Sequence, residues 1–160
     1  MDRLETLWDL HEIEQRYFRY CEIIDAKDFD ALGEIFLAEA VQDYRSSNGI
    51  LQNGVAPLAA RLHIGMGHDS DCGATQHNVF NIRATITGNN AVAKAHFYAV
   101  HAGRNRFDGQ IYRCWGQYDD VWHRTPEGWR VGRRDYANFL TEGPVEIIRA
   151  TGREATSLPC

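Results

Sequence analysis

The sequence predicts an α+β fold: a cone-shaped α+β barrel with N-terminal helices packed on a strongly curved, mostly antiparallel sheet. Two observations carry this. Residues 4–25 repeat apolar side chains at three- and four-residue steps, and residues 75–139 form runs of strand-like sequence separated by turn residues. Helices followed by consecutive strands is the order of an α+β domain. A chain of 160 residues is long enough for one core and short for two. The expected organisation is a single domain over 1–143 and a partly flexible tail over 144–160, with one helical turn after Gly143-Pro144.

The first helix is marked by Leu7, Leu10, Ile13, Tyr17, Cys21 and Ile24, a single apolar stripe. Glu5, Asp9, Glu12, Glu14 and Arg16 fill its wet side. Asp25 falls four residues after Cys21 and eight after Tyr17, so a continued helix carries its carboxylate toward the buried stripe. A short second helix is expected over 28–38, with Phe29, Leu32, Ile35 and Phe36 apolar and Asp28 as N-cap. Val41–Arg45 reads as a strand and Ser46–Gly49 as a turn. A third helix starts near Val55 and Pro57, since proline is tolerated in the first turn. Residues 65–73 have no periodicity and read as a loop, a candidate lid. Strands follow at 75–87, 91–101, 110–124 and 129–139. The first two are joined by Gly88-Asn89-Asn90, and the last two by Thr125-Pro126-Glu127-Gly128.

Composition narrows the function classes. Seventeen Lys and Arg against 22 Asp and Glu give a net charge of −5, which offers a nucleic-acid backbone no charge surplus. No apolar run approaches the roughly 20 residues that cross a bilayer. Met1-Asp2-Arg3-Leu4-Glu5 is charged and amphipathic, unlike a signal peptide. Cys21, Cys72, Cys114 and Cys160 lack finger or Cys-x-x-Cys spacing and read as reduced thiols of a cytoplasmic protein. The expected partner is a small molecule, with no nucleic acid and no membrane.

Chemistry is suggested by the second strand of the hairpin. Ala91, Ala93, Ala95, Phe97 and Ala99 share one face, and His101 is next on it. His77, alternating with Val79 and Asn81 on the preceding strand, points the same way. Asp25, His77 and His101, with the phenols of Tyr20 and Tyr44, form a set suited to proton transfer. A neutral imidazole takes a proton, a carboxylate on its other nitrogen fixes the tautomer, and a phenol stabilises an enolate. Spacing alone leaves duller readings open: satisfied core histidines, an Asp25 that caps the second helix, and tyrosines that only pack. The loop residues His63, His68, Asp69, Asp71 and Cys72 lack a metal-ligand spacing, so no metal is expected. No phosphate loop or nucleophile elbow is present. Arg130, Arg133 and Arg134 read as a partly solvated strand face, and Arg104 and Arg106 as a wet loop.

The stretch Ile13-Glu14-Gln15-Arg16-Tyr17-Phe18-x-Tyr20 through Ile24-Asp25-x-x-Asp28-Phe29 resembles the opening helices of the SnoaL-like family, within the nuclear transport factor two-like superfamily. Thr75-Gln76-His77-Asn78, Ile86-Thr87-Gly88-Asn89-Asn90-Ala91, Gly116-Gln117-Tyr118-Asp119-Asp120 and Gly128-Trp129-Arg130-Val131 resemble its strands. The resemblance spans about residues 4–140. It implies a small-molecule cavity, no cofactor, and a homodimer or homotrimer. Asp25, His77, His101, Tyr20 and Tyr44 fall in elements that match the pocket of scytalone dehydratases. Asp25 and His77 match the dyad of hexachlorocyclohexane dehydrochlorinases, and Tyr20 and Asp25 the spacing in bile-acid 7α-dehydratases, which place an aspartate where His101 falls. The implied activity is a lyase of dehydratase type on a cyclic, polyketide- or steroid-like substrate. The alternatives are an isomerase or cyclase on the same dyad, or a binding or subunit domain without turnover. Phe97, Trp115, Tyr17 and Asn81 are the expected substrate-binding residues.

Overall fold

The computed structural model describes residues 2–149. Helix α1 (Arg3–Ala26) opens on Asp2, whose backbone N–H is met by Glu5 Oε2 at 3.1 Å. It ends at Lys27 in the left-handed region, with φ 59°. A 3₁₀ turn (Phe29–Glu34) leads into β1 (Phe36–Tyr44), a single-turn α2 (Arg45–Asn48), β2 (Ile50–Asn53) and α3 (Val55–Met66). Four long strands follow: β3 (Cys72–Thr87), β4 (Asn90–Gly103), β5 (Ile111–Thr125) and β6 (Gly128–Glu142). A last 3₁₀ turn spans Val145–Ile148.

The strands form one sheet in the order β2-β1-β6-β5-β4-β3, antiparallel except for the parallel β1–β6 pair. The expected α+β class with helices on one face of a mostly antiparallel sheet holds. The sheet does not close into a barrel: β2 and β3 remain edges, and α1 and α3 pack across its inner face. That face is where the core lies. Ala91, Ala93, Ala95, Phe97, Ala99 and His101 of β4 are all buried, as the alternation predicts. Tyr112, Cys114, Tyr118 and Trp122 of β5 continue the layer, and Ile13, Tyr17, Ile23 and Ile24 of α1 cover it. Each large side chain buried this way contributes roughly 1.5–3 kcal/mol.

Several expectations shift. The second helix is only a 3₁₀ turn, because Phe36–Ala40 joins the sheet beside β6 instead of continuing a helix. The apolar spacing of Leu32, Ile35 and Phe36 serves core burial without a helix. Ser46–Gly49 includes most of α2, and β2 is a strand that sequence reading leaves out. Leu7 is exposed, whereas Asp9 is buried: Arg124 forks onto it at 2.6 and 2.5 Å, and the Trp129 indole N–H donates at 3.1 Å. Arg134 is not solvated. It is fully buried and forks onto the equally buried Asp120 at 2.9 and 2.7 Å.

The segment between α3 and β3 is held down by cations. Lys27 Nζ donates to the carbonyls of Met66 and Cys72, and Arg104 donates to those of Gly67, His68 and Ser70. Arg104 is therefore a clamp and not merely a wet loop residue. The start of the tail is packed too, with Ile147 fully buried. The flexibility expected of its last residues concerns 150–160, outside the described residues, as is Cys160. Among the described residues, Cys21, Cys72 and Cys114 are free thiols, and no helix is long and apolar enough to cross a membrane.

Candidate active site

A cavity of about 440 Å³ opens between the inner face of the sheet, α1 and α3. Its floor carries an aspartate–histidine pair built by two elements. The last turn of α1 brings Asp25 against the start of β3. Its Oδ1 lies 2.7 Å from His77 Nδ1 and accepts the Thr75 hydroxyl at 2.8 Å, and its Oδ2 accepts the His77 backbone N–H at 2.9 Å. A carboxylate on Nδ1 requires N–H there, so Nε2 is the unprotonated nitrogen of the neutral ring. His77 lines the cavity while Asp25 stands behind it. Burial pushes the Asp25 carboxyl up, but the His77 ring, the His77 backbone and Thr75 outweigh it and hold the carboxyl below its ordinary range.

His101 sits edge-on to His77, with ring centroids 5.1 Å apart. Burial, with His77 beside it, pushes its imidazole down to about 3. His101 is therefore neutral near pH 7. It can offer or accept only a hydrogen bond, and its Nδ1 has no protein partner among the described residues.

The opposite wall is aromatic. Tyr20, Tyr44, Phe97, Tyr118 and Tyr136 all line the cavity. Phe97 stacks on Tyr118 at 4.7 Å and on Tyr136 at 5.0 Å, and Tyr44 lies 4.8 Å from Tyr136. Burial raises the phenols of Tyr20, Tyr44 and Tyr118, against the pull of the buried Arg134 cation. They are neutral donors at neutral pH. Arg134 itself lies with its guanidinium carbon 4.0 Å from the Tyr118 ring centroid and 4.5 Å from that of Tyr20. Among the described residues, no three His, Cys, Asp or Glu side chains converge as a metal-ligand set.

Thus Asp25, His77, His101, Tyr20, Tyr44 and Phe97 come together as the sequence suggests. Three expected binding residues do not. Trp115 stacks on Tyr98 at 4.9 Å on the outer face, because odd-numbered residues of β5 oppose the outward residues of β4. Asn81 is exposed and reaches His96 at 3.3 Å. A β-bulge at Asn81, with φ 54°, shifts the inward parity from Thr75, His77 and Val79 to Ile82, Ala84 and Ile86. Tyr17 is buried against Trp122 and does not line the cavity. Tyr118 and Tyr136 were the residues sequence reading missed. The antiparallel partner of Phe97 is Gly116, so Tyr118, two residues on, shares its face.

The chain belongs to the SnoaL-like domain family, whose match covers residues 5–135. A nuclear transport factor 2 (NTF2-like) superfamily protein from Salmonella enterica subsp. enterica serovar Typhimurium str. LT2 is similar in fold, with a TM-score of 0.71 at 22% identity, covering 83% of this chain and 92% of that one. The uncharacterized protein Rv2910c of Mycobacterium tuberculosis (strain ATCC 25618 / H37Rv) is 32% identical over 129 residues, 79% of this chain and 82% of its own. A proposed scytalone dehydratase from Novosphingobium aromaticivorans DSM 12444 superposes with a TM-score of 0.78 at 21% identity, covering 92% of this chain and 93% of that one. A type 2 hexachlorocyclohexane dehydrochlorinase (LinA) superposes with a TM-score of 0.67 at 14% identity, covering 94% of this chain and 97% of that one. At these identities the structures are alike in fold.

Proposed function

We propose that this protein is a lyase that removes a proton and a leaving group, most simply hydroxide as water, from a small cyclic substrate. The observation that carries the reading is the 2.7 Å contact of His77 Nδ1 with Asp25, which leaves Nε2 as a base at the cavity wall. In this mechanism Nε2 takes the proton next to a carbonyl, and Asp25 stabilises the imidazolium that forms. Phenols of Tyr20 and Tyr44 donate to the substrate carbonyl as its oxygen gains charge. The departing oxygen takes the proton that His77 has gained. His101 serves as a neutral hydrogen-bonding partner, because burial disfavours its imidazolium form. Such acid–base participation supplies about 10²–10⁴-fold, and the cavity supplies positioning. The fold shared with proteins described as dehydratase and dehydrochlorinase is consistent with elimination chemistry.

The test is a screen of cyclic β-hydroxy ketones, read as the appearance of enone absorbance. The parent should form enone from at least one of them and His77→Gln should not. Enone formation at equal rates in both would remove His77 from the chemistry. Ligand binding without turnover across the series would favour a binding domain.

A further inference from the structure

We infer that the ligand of this cavity is a ring-bearing carboxylate, held by Arg61 and Arg149. The inference names a substrate class for the site proposed above and so rests on that reading of the cavity. The chain has 22 acidic residues and a net charge of −5, yet among the described residues no Asp or Glu side chain lines the cavity. Arg61 and Arg149 do, so the wall carries two formal positive charges in an acidic protein. Arg61 lies on the face of α3 that also presents Leu58, Leu62 and Gly65 to the cavity. Its guanidinium is pre-positioned: Nε and Nη2 both donate to Gln52 Oε1, at 3.2 and 3.0 Å, and Gln52 is buried. That contact leaves Nη1 for another acceptor. Arg149 follows the last 3₁₀ turn, where buried Ile147 anchors the chain. An anionic group at these arginines leaves the ring of the same molecule to the aromatic wall, and a cavity of about 440 Å³ accommodates two fused rings. Arginine–carboxylate contacts are charge-assisted and geometrically selective.

The test compares 2-naphthoate with 2-naphthamide by titration calorimetry, at neutral pH and constant ionic strength. The parent should bind the naphthoate at least tenfold tighter than the amide. Arg61→Met should lose that preference while binding the amide within about twofold of the parent, and Arg61→Lys should retain part of it. Arg149→Met removes an exposed side chain, so it keeps the test decisive should Arg61→Met fail to fold, and it should weaken the naphthoate alone. His77→Gln should keep the preference. Equal binding of the two probes by the parent, no binding of the naphthoate, or a preference lost only in His77→Gln would each overturn the inference. A preserved preference together with absent elimination would leave the anion site standing and discard the lyase.

Discussion

The Asp25 carboxylate meets His77 twice: Oδ1 lies 2.7 Å from the ring Nδ1, and Oδ2 accepts the backbone N–H of the same residue at 2.9 Å. Ring and backbone are therefore fixed by one group at the end of α1. The double contact holds the imidazole in one tautomer and aims it at the cavity.

Asp25→Asn should disturb both contacts. An amide has one acceptor and one donor end, so it either sets its N–H₂ against the His77 backbone N–H or forces the ring into the tautomer that accepts at Nδ1. The expected cost is about 1–3 kcal/mol, from leaving part-buried donors unpaired. It is measured as a shift in the urea midpoint at constant slope.

The same carboxyl gives a pH dependence of stability. Its pKa in the folded protein is lowered, mainly by the His77 and Thr75 contacts acting against burial. The unfolded chain thus binds this proton more tightly than the folded one. The contribution is fully present above the unfolded value near 3.8 and is lost as pH falls through the lower folded value. The stability gap between parent and Asp25→Asn should accordingly narrow as pH falls below about 4. Denaturant titrations across that range measure it.

Gly116→Ala should close the cavity from the sheet side. A Cβ there would meet the Ala137 carbonyl oxygen and come within 2.6 Å of the Phe97 ring. The ring must leave its stack on Tyr118 and Tyr136, which line the cavity with it. Overpacking of this kind costs about 1–3 kcal/mol. A loss of probe binding larger than in an outer-face control, Gln117→Ala, is the expected outcome.

These residues also show what was legible from sequence. The inward face of β4 was readable because apolar residues, four alanines and Phe97, recur at every second position from Ala91 to Ala99. Asp25 was readable because α1 keeps its period to the end. Asn81 was misplaced because a bulge changes parity, and alternation alone does not reveal where an extra residue enters. Trp115 was misplaced for a different reason: the parity of β5 depends on its register with β4, which only pairing sets. The same missing register hid Tyr118 and Tyr136. Asp9 and Arg134 ran against expectation because charge patterning treats a lone charge as wet, whereas a forked partner lets each be buried.

The buried pair gives a contrast that stability measurements can read. Asp120→Ala leaves the Arg134 guanidinium unpaired in a site from which water is excluded, since both side chains are fully buried. A loss of about 3–5 kcal/mol is expected. Asp135→Ala breaks the neighbouring exposed contact with Arg133, at 2.6 Å, and should cost no more than about 1 kcal/mol. Equal costs for the two would mean that Arg134 reaches water.

The central claim is that His77 Nε2 removes a proton from carbon inside the cavity. The most direct measurement is exchange of the α-protons of 2-tetralone with D₂O, followed by NMR at neutral pH with parent, His77→Gln and Asp25→Asn proteins. The account predicts exchange above the buffer rate in the parent, a fall of about 10²-fold or more toward the buffer rate in His77→Gln, and an intermediate rate in Asp25→Asn. Parent-level exchange in His77→Gln, or no exchange above buffer in the parent, would contradict it.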